Sequence, residues 1–328
     1  MPTQIVEDEA VPQSITTEIP AFGRKAIQYF ISFFLCFIVL AVFIPLSPLM
    51  PAQGLDTSWM FAMNQGVAHG FVFGKDIVFT FGPYSSIYTE LYDPATDKLM
   101  VFGSFFLGIC YCFQLLLLAK HKSNYGLLFY GIFLACLMDS RDALLFSYPL
   151  ILSLVVYRVT LPHEHAWKLH LENSLSYGVA LLFAPLGLLP LIKGSLLPMC
   201  GMTAFLCFAI FWLNDKKILA WATVGIPAIS CALFWRISGQ SLFALPGFFW
   251  NMRQIISGYN EAMSFPGNSG ECVLYILAAV LIIFAIASTI RAPRISTSFL
   301  SISYAFFLFL AFKSGFIRHD PWHNIIAG

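Results

Sequence analysis

The chain has 328 residues, of which 59% are apolar and 11% charged, and its formal net charge is +1. A soluble domain carries about 25% charged residues, and here the mean hydropathy is +0.78, so no water-facing surface can be assembled and a soluble enzyme or globular domain is excluded. The near-neutral balance, with no basic cluster, sets nucleic-acid binding aside as well.

Residues 1–25 are polar and acidic (Glu7, Asp8, Glu9, Glu18) and lack the basic start of a cleaved signal, so they read as a disordered cytoplasmic tail ahead of a retained first helix. Apolar runs then follow at about 26–50, 99–119, 123–138, 143–157, 174–192, 195–213, 218–235, 272–290 and 295–312. Most approach the roughly 20 residues that a helix needs to cross about 30 Å of hydrocarbon. The pattern predicts an all-α, polytopic transmembrane helical bundle of about nine helices, range 8–10, occupying 26–328. Two long extracytoplasmic loops are expected, at 51–98 and 236–271.

The short loops Lys120–Lys122, Lys216–Lys217 and Arg291–Arg294 fall on the side of the N-terminus, which the positive-inside rule makes cytoplasmic. The link from Arg158 to Asn173, with His163, His165 and His170, reads as a solvated loop. All eight cysteines sit in or at the ends of apolar runs, where they serve as small fillers, since a disulfide framework or zinc site needs clusters in loops. Leu242 to Trp250, aromatic and interrupted by Pro246 and Gly247, is expected to lie along the membrane interface.

Three polar clusters are candidates for chemistry. In the first loop, Asp56 stands where a helix can start, ahead of Trp59, Met60, Met63 and Val67 at helical spacing. It reads either as an N-cap or as a general base that takes a proton from an acceptor hydroxyl. His69 and Asp76 follow as supporting or metal-orienting groups, and Val78 to Phe81 reads as a short extended piece stopped by Gly82-Pro83. The second cluster is Asp139-Ser140-Arg141-Asp142, lodged between two short helices. It is either a self-neutralising knot, or a site where Arg141 holds a lipid-linked phosphate while Asp139 and Asp142 orient it, a hydroxyl or a metal. The third cluster, outside the last helix, is Lys313, Arg318, His319, Asp320 and His323, read either as the ordinary polar flank of a helix end, which accounts for Lys313 better than for the others, or as a phosphate-binding wall.

LDTSW (55–59), FGKDIVFTFGP (73–83), DSRD (139–142) and FKSGFIRHD (312–320), in this order among the helices, resemble the GT-C superfamily of polytopic membrane glycosyltransferases. That superfamily includes protein O-mannosyltransferases, aminoarabinose transferases of lipid A and oligosaccharyltransferases. The likeness is closest to bacterial members with D-x-S-W and F-T-[YF]-G-P in the first loop, and it spans about 26–323. It implies transfer of a sugar from a polyprenyl-phosphate donor to an acceptor at the outer face of a bacterial inner membrane. Asp56 is then the base, Arg141, Arg318 and Lys313 hold the donor phosphate, and Asp139, Asp142, His319 and Asp320 support them.

The resemblance implies no certain cofactor, and a divalent cation stays open because the carboxylates can pair with Arg141 instead. Its partners are the lipid-linked donor and membrane lipids. Members usually have eleven or more helices, so the resemblance implies a truncated copy or a minimal variant. Two further readings stand beside it, a transporter or flippase for a lipid-linked substrate and a non-catalytic scaffold.

Overall fold

A computed structural model describes residues 21–119, 124–161, 174–289 and 293–317. The chain folds as an all-α polytopic helical bundle, and three isolated β-bridges are the only extended pairings among the described residues. Among the described residues, seven helices are long and apolar enough to cross a membrane. They are α1 (Ala21–Phe43), α4 (Asp97–Ala119), α6 (Arg141–Thr160), α9 (Leu197–Leu213, led by a 3-10 turn at Gly194–Leu196), α10 (Lys217–Ile237), α12 (Ser269–Thr289) and α13 (Arg294–Ile317). At 1.5 Å per residue a 20-residue helix such as α6 spans about 30 Å. The tail at 1–20 lies outside the described residues, as does the histidine-bearing link at 162–173, and helix α1 already starts at Ala21 rather than near 26.

The other two apolar runs take forms that the run lengths alone do not give. Residues 123–138 supply α5 (Asn124–Cys136), only 13 residues long and packed on α1. Residues 174–192, expected as one helix, form α7 (Ser174–Leu181) and α8 (Pro185–Ile192) with a break between them. Pro185 lacks an N–H and its ring crowds the carbonyl four residues back. The chain responds by tightening, with Leu182, Phe183 and Ala184 donating to Val179, Ala180 and Leu181, each three residues back. Neighbouring helices then cap carbonyls at the break: the Tyr148 hydroxyl donates to Leu182 O at 2.8 Å and the Ser230 hydroxyl to Ala184 O at 2.7 Å. Intramembrane backbone needs such partners because hydrocarbon offers none.

Helix α1 packs on α4 and α5, while α6 lies against α4, α9 and α13. Helix α10 packs against α8 and α9. Helix α12 leans chiefly on α13 and has no buried residue, as suits a helix at the edge of the bundle facing lipid.

Both long loops are folded and meet at one end of the bundle. The first carries α2 (Leu55–Ala68) and the five-residue α3 (Ser85–Thr89). The second, in which Leu242 to Trp250 was expected to be interrupted by Pro246 and Gly247, contains a 19-residue helix α11 (Leu245–Met263). Pro246 and Gly247 do not break it, since they sit in its first turn, where a missing N–H is harmless. Helix α11 buries Phe248 and Met252, one turn apart, and exposes Trp250 and Arg253, whose guanidinium lies 4.1 Å from the Trp250 ring centroid.

The loops are stitched together. Gln240 accepts from Phe73 N at 3.1 Å and donates to Phe71 O at 2.9 Å, and Asn251 donates to Gly74 O at 2.7 Å. Gly74, at φ 88°, abuts the Phe248 backbone so closely that a Cβ would lie 2.4 Å from the Phe248 Cα. Here glycine is required both by conformation and by space.

Candidate functional site

The two folded loops form a platform at one end of the bundle, and its centre is built around Lys193, the single charged residue between Asn173 and Asn214. It stands at the C-terminal end of α8 in extended conformation, and an antiparallel bridge joins it to Phe81. Gly82 N donates to Ile192 O at 3.2 Å, Gly194 N to Thr80 O at 2.7 Å and Tyr84 N to Leu191 O at 3.1 Å. Of the extended piece expected at 78–81 only Phe81 is paired, while residues 79 and 80 are bends, and residues 80–84 form a short strap laid against the end of α8. Gly82 lets the strap approach, for a Cβ there would lie 2.3 Å from Leu191 O.

The strap brings the first loop to the N-terminus of α6. Lys193 Nζ donates to both oxygens of Asp142, at 2.6 and 2.8 Å, and lies 3.4 Å from the Tyr88 hydroxyl, which in turn donates to Asp142 Oδ2 at 3.2 Å. The ammonium also sits 4.6 Å from the Tyr88 ring centroid and 5.4 Å from that of Phe81. Arg141, the neighbouring residue, forms an ion pair with Glu90 and donates from Nη1 to Val42 O at 3.1 Å, in the last turn of α1. There it meets one of the carbonyls that a helix end leaves without an intrahelical partner. The side chains of Arg141, Asp142, Lys193 and Glu90 are 10%, 13%, 18% and 26% exposed, so all four charges are largely withdrawn from solvent. Two cations meet two carboxylates and the cluster is neutral.

An aromatic wall runs from this cluster to the start of α2. Phe81 meets Tyr88 edge-on at 5.0 Å between centroids and stacks on Trp59 at 4.7 Å, with Phe79 touching both Trp59 and Phe81. Trp59 Nε1 donates to Asp56 Oδ1 at 3.3 Å. Asp56 is exposed, in the first turn of α2, and is not the N-cap: that position is Gly54, whose carbonyl accepts from the hydroxyls of Thr57 and Ser58. Next to the strap, Tyr84 is buried and donates to Phe234 O at 2.9 Å. Burial pushes its phenol well above the usual value, so it remains a neutral donor.

The wall of side chains thus runs from Asp56 through Trp59, Phe81 and Tyr88 to Asp142. The knot at 139–142 is not self-neutralising, because each of its inner charges takes a partner from elsewhere, Arg141 from the first loop and Asp142 from the end of α8, while Asp139 is exposed. His69 and Asp76 stand apart. His69 is exposed beside Phe71, and Asp76 Oδ2 accepts from Val72 N at 2.9 Å within its own turn. Lys313 is half-buried on α13 and makes no ion pair or hydrogen bond with a described residue. Arg318, His319, Asp320 and His323 lie outside the described residues. Among the described residues no group of three or more His, Cys, Asp or Glu is placed to hold a metal, and all eight cysteines are free thiols.

Sequence reasoning missed Lys193, Glu90 and Tyr88. The signal for Lys193 was available, since a lone charge between two apolar runs needs an opposite partner at the same depth. Nothing comparable marked Glu90.

Seven helices of membrane-spanning length and apolarity among the described residues, with a folded platform at one end, define a multi-pass helical membrane protein. No family model matches the chain, and neither a curated protein nor a solved structure matches it.

Proposed function

We propose that the protein is a membrane glycosyltransferase that moves a sugar from a polyprenyl-phosphate donor to an acceptor hydroxyl at the extracytoplasmic face. The observation that carries this reading is the aromatic and charged wall that joins the motifs LDTSW, FTFGP and DSRD. A solvent-facing carboxylate stands at one end of it, and at the other the Lys193–Asp142 ion pair, next in sequence to Arg141. In the proposed step the acceptor oxygen attacks the anomeric carbon, Asp56 takes its proton, and the bond from that carbon to the phosphate oxygen breaks, with the electron pair leaving on the phosphate. The leaving group already carries charge, so fixed cations near it and a base near the acceptor are the main requirements. Arg141 is the central cation, and Lys313 and Arg318 supply further positive charge from the last motif. The basic short loops favour a cytoplasmic N-terminus, with the folded loops on the opposite side, and the resemblance implies that the membrane is a bacterial inner one.

Among the described residues, the helix break at 182–184 is the feature that favours transport, since interrupted helices often line substrate sites. Its Leu182 and Ala184 carbonyls, however, are occupied by Tyr148 and Ser230 and carry no charge partner. Asp56→Asn, assayed in vesicles with a labelled sugar on polyprenyl phosphate, is expected to lose at least about a hundredfold in transfer rate, the usual weight of a general base. Full transfer by the variant removes Asp56 from the role, and no transfer by the unaltered protein removes the enzymatic reading.

A further inference from the structure

The two ion pairs of the platform are not equivalent, and the difference bears on how an anion enters. Lys193 and Asp142 are locked: both carboxylate oxygens are used, Tyr88 adds a third contact, and the rings of Phe81 and Tyr88 flank the ammonium. Both residues sit at the ends of membrane helices. Glu90 is held differently. It follows the five-residue α3, its side chain is the most exposed of the four, and its backbone is left-handed at φ 53°.

That backbone is pinned independently of the side chain, with Leu49 N donating to Glu90 O at 2.8 Å and Glu90 N donating to Ser86 O at 2.9 Å. The carboxylate can therefore swing while the main chain stays in place. Arg141 is likewise positioned without Glu90, because Val42 O holds its Nη1. A guanidinium has five N–H donors in a planar fork suited to two oxygens at once. What Glu90 occupies is a cationic seat, already oriented, in the first turn of α6.

We propose that Glu90 is a built-in stand-in for a phosphate on Arg141, and that an anionic phosphate group binds by displacing this carboxylate. The inference rests on the reading of Arg141 as the donor-phosphate residue and adds the competitor that holds the site closed when no donor is bound. Neutrality gives the physical reason. With all four charges paired, a phosphate gains no net attraction from the cluster, whereas release of Glu90 exposes one positive charge where it is weakly solvated. The empty seat is also kept from becoming a buried unpaired cation, which costs several kcal/mol.

The test uses the full chain in nanodiscs of phosphatidylcholine, with two probes, a short-chain polyprenyl phosphate and inorganic phosphate. Glu90→Gln is expected to bind the polyprenyl phosphate at least about tenfold more tightly than the unaltered chain, equivalent to about 1.4 kcal/mol. Glu90→Asp is expected to fall between them, and Arg141→Gln to lose binding. In the unaltered chain the same probe is expected to raise carbodiimide labelling of Glu90, a readout that needs no substitution. Binding that requires Arg141 but is no tighter in Glu90→Gln, with Glu90 labelling unchanged, overturns the competitor and leaves the donor reading standing. Glu90-sensitive binding of inorganic phosphate with none of the lipid probe supports the seat and overturns the lipid-linked donor. Absence of binding by either probe in every variant overturns both.

Discussion

Removing the ammonium of Lys193 tests the centre of the platform most directly. In Lys193→Met the side chain keeps its length and apolar stem, but Asp142 loses two charge-assisted hydrogen bonds of 2.6 and 2.8 Å while its side chain is only 13% exposed. Breaking a buried pair by removing one partner costs about 3–5 kcal/mol, because the remaining charge is stranded. The loss of ammonium contacts with two rings adds about 0.5–1 kcal/mol. Residual exposure of both partners places the expected total near the lower end, about 3.5 kcal/mol. Asp142→Leu strands the ammonium and is expected to cost a similar amount. The double variant replaces both charges with apolar side chains and is expected to recover to within about 1 kcal/mol of the unaltered protein, since such replacements are often neutral. The assay is a double-mutant cycle on the unfolding midpoint in mixed detergent micelles, which isolates the pairwise coupling. Single variants that each lose less than about 1 kcal/mol, or a double variant whose loss equals the sum of the singles, would refute the assignment of a locked pair.

Gly82→Val is expected to dislodge the strap, because the new Cβ meets the Leu191 carbonyl, a backbone atom that cannot turn aside. The cost is about 1–3 kcal/mol of overpacking, read as new protease cleavage within 70–96, and an unchanged digest argues against the strap. Gln240→Leu removes both bonds to the first loop and leaves the buried Phe73 N–H without its acceptor, worth about 1–3 kcal/mol. Hydrogen exchange is expected to quicken at 71–77 while the spanning helices keep their protection, and equal protection in both proteins would show that the two loops are joined elsewhere.

The membrane helices were legible because uncharged runs of about the bilayer's length have no other stable use. The break at Pro185 was not, and the reason is that proline alone does not decide it. Pro149 and Pro227 lie inside helices that continue through them. At 182–184 the outcome depends on hydroxyls of Tyr148 and Ser230, which arrive from other helices. Helix α11 was hidden for a related reason, as Pro246 and Gly247 look like breakers until their place in a first turn is known. In the candidate site, Asp56, Arg141 and Asp142 stood out as charges at the ends of apolar runs. Their partners did not, since Lys193 lies 51 residues from Asp142 and the same distance along the chain separates Glu90 from Arg141. Pairing over such distances is a property of the packed bundle.

The arrangement also explains why the first loop is folded rather than trailing in solvent. Arg141 and Asp142 open a spanning helix and Lys193 ends a half-helix, so without neighbours these charges would face an apolar surround at the bundle's end. The first loop supplies what each lacks, Glu90 for Arg141 and Tyr88 with Phe81 around Lys193. Formation of the platform and closure of the helix ends are therefore one event. A substitution in the strap should loosen the ion pairs, and a substitution in the pairs should loosen the strap. Because Glu90 belongs to the loop while Arg141 belongs to the bundle, an anion that replaces Glu90 would relax only the exchangeable half of this junction. The Lys193–Asp142 pair would keep the wall from Trp59 to Tyr88 in place.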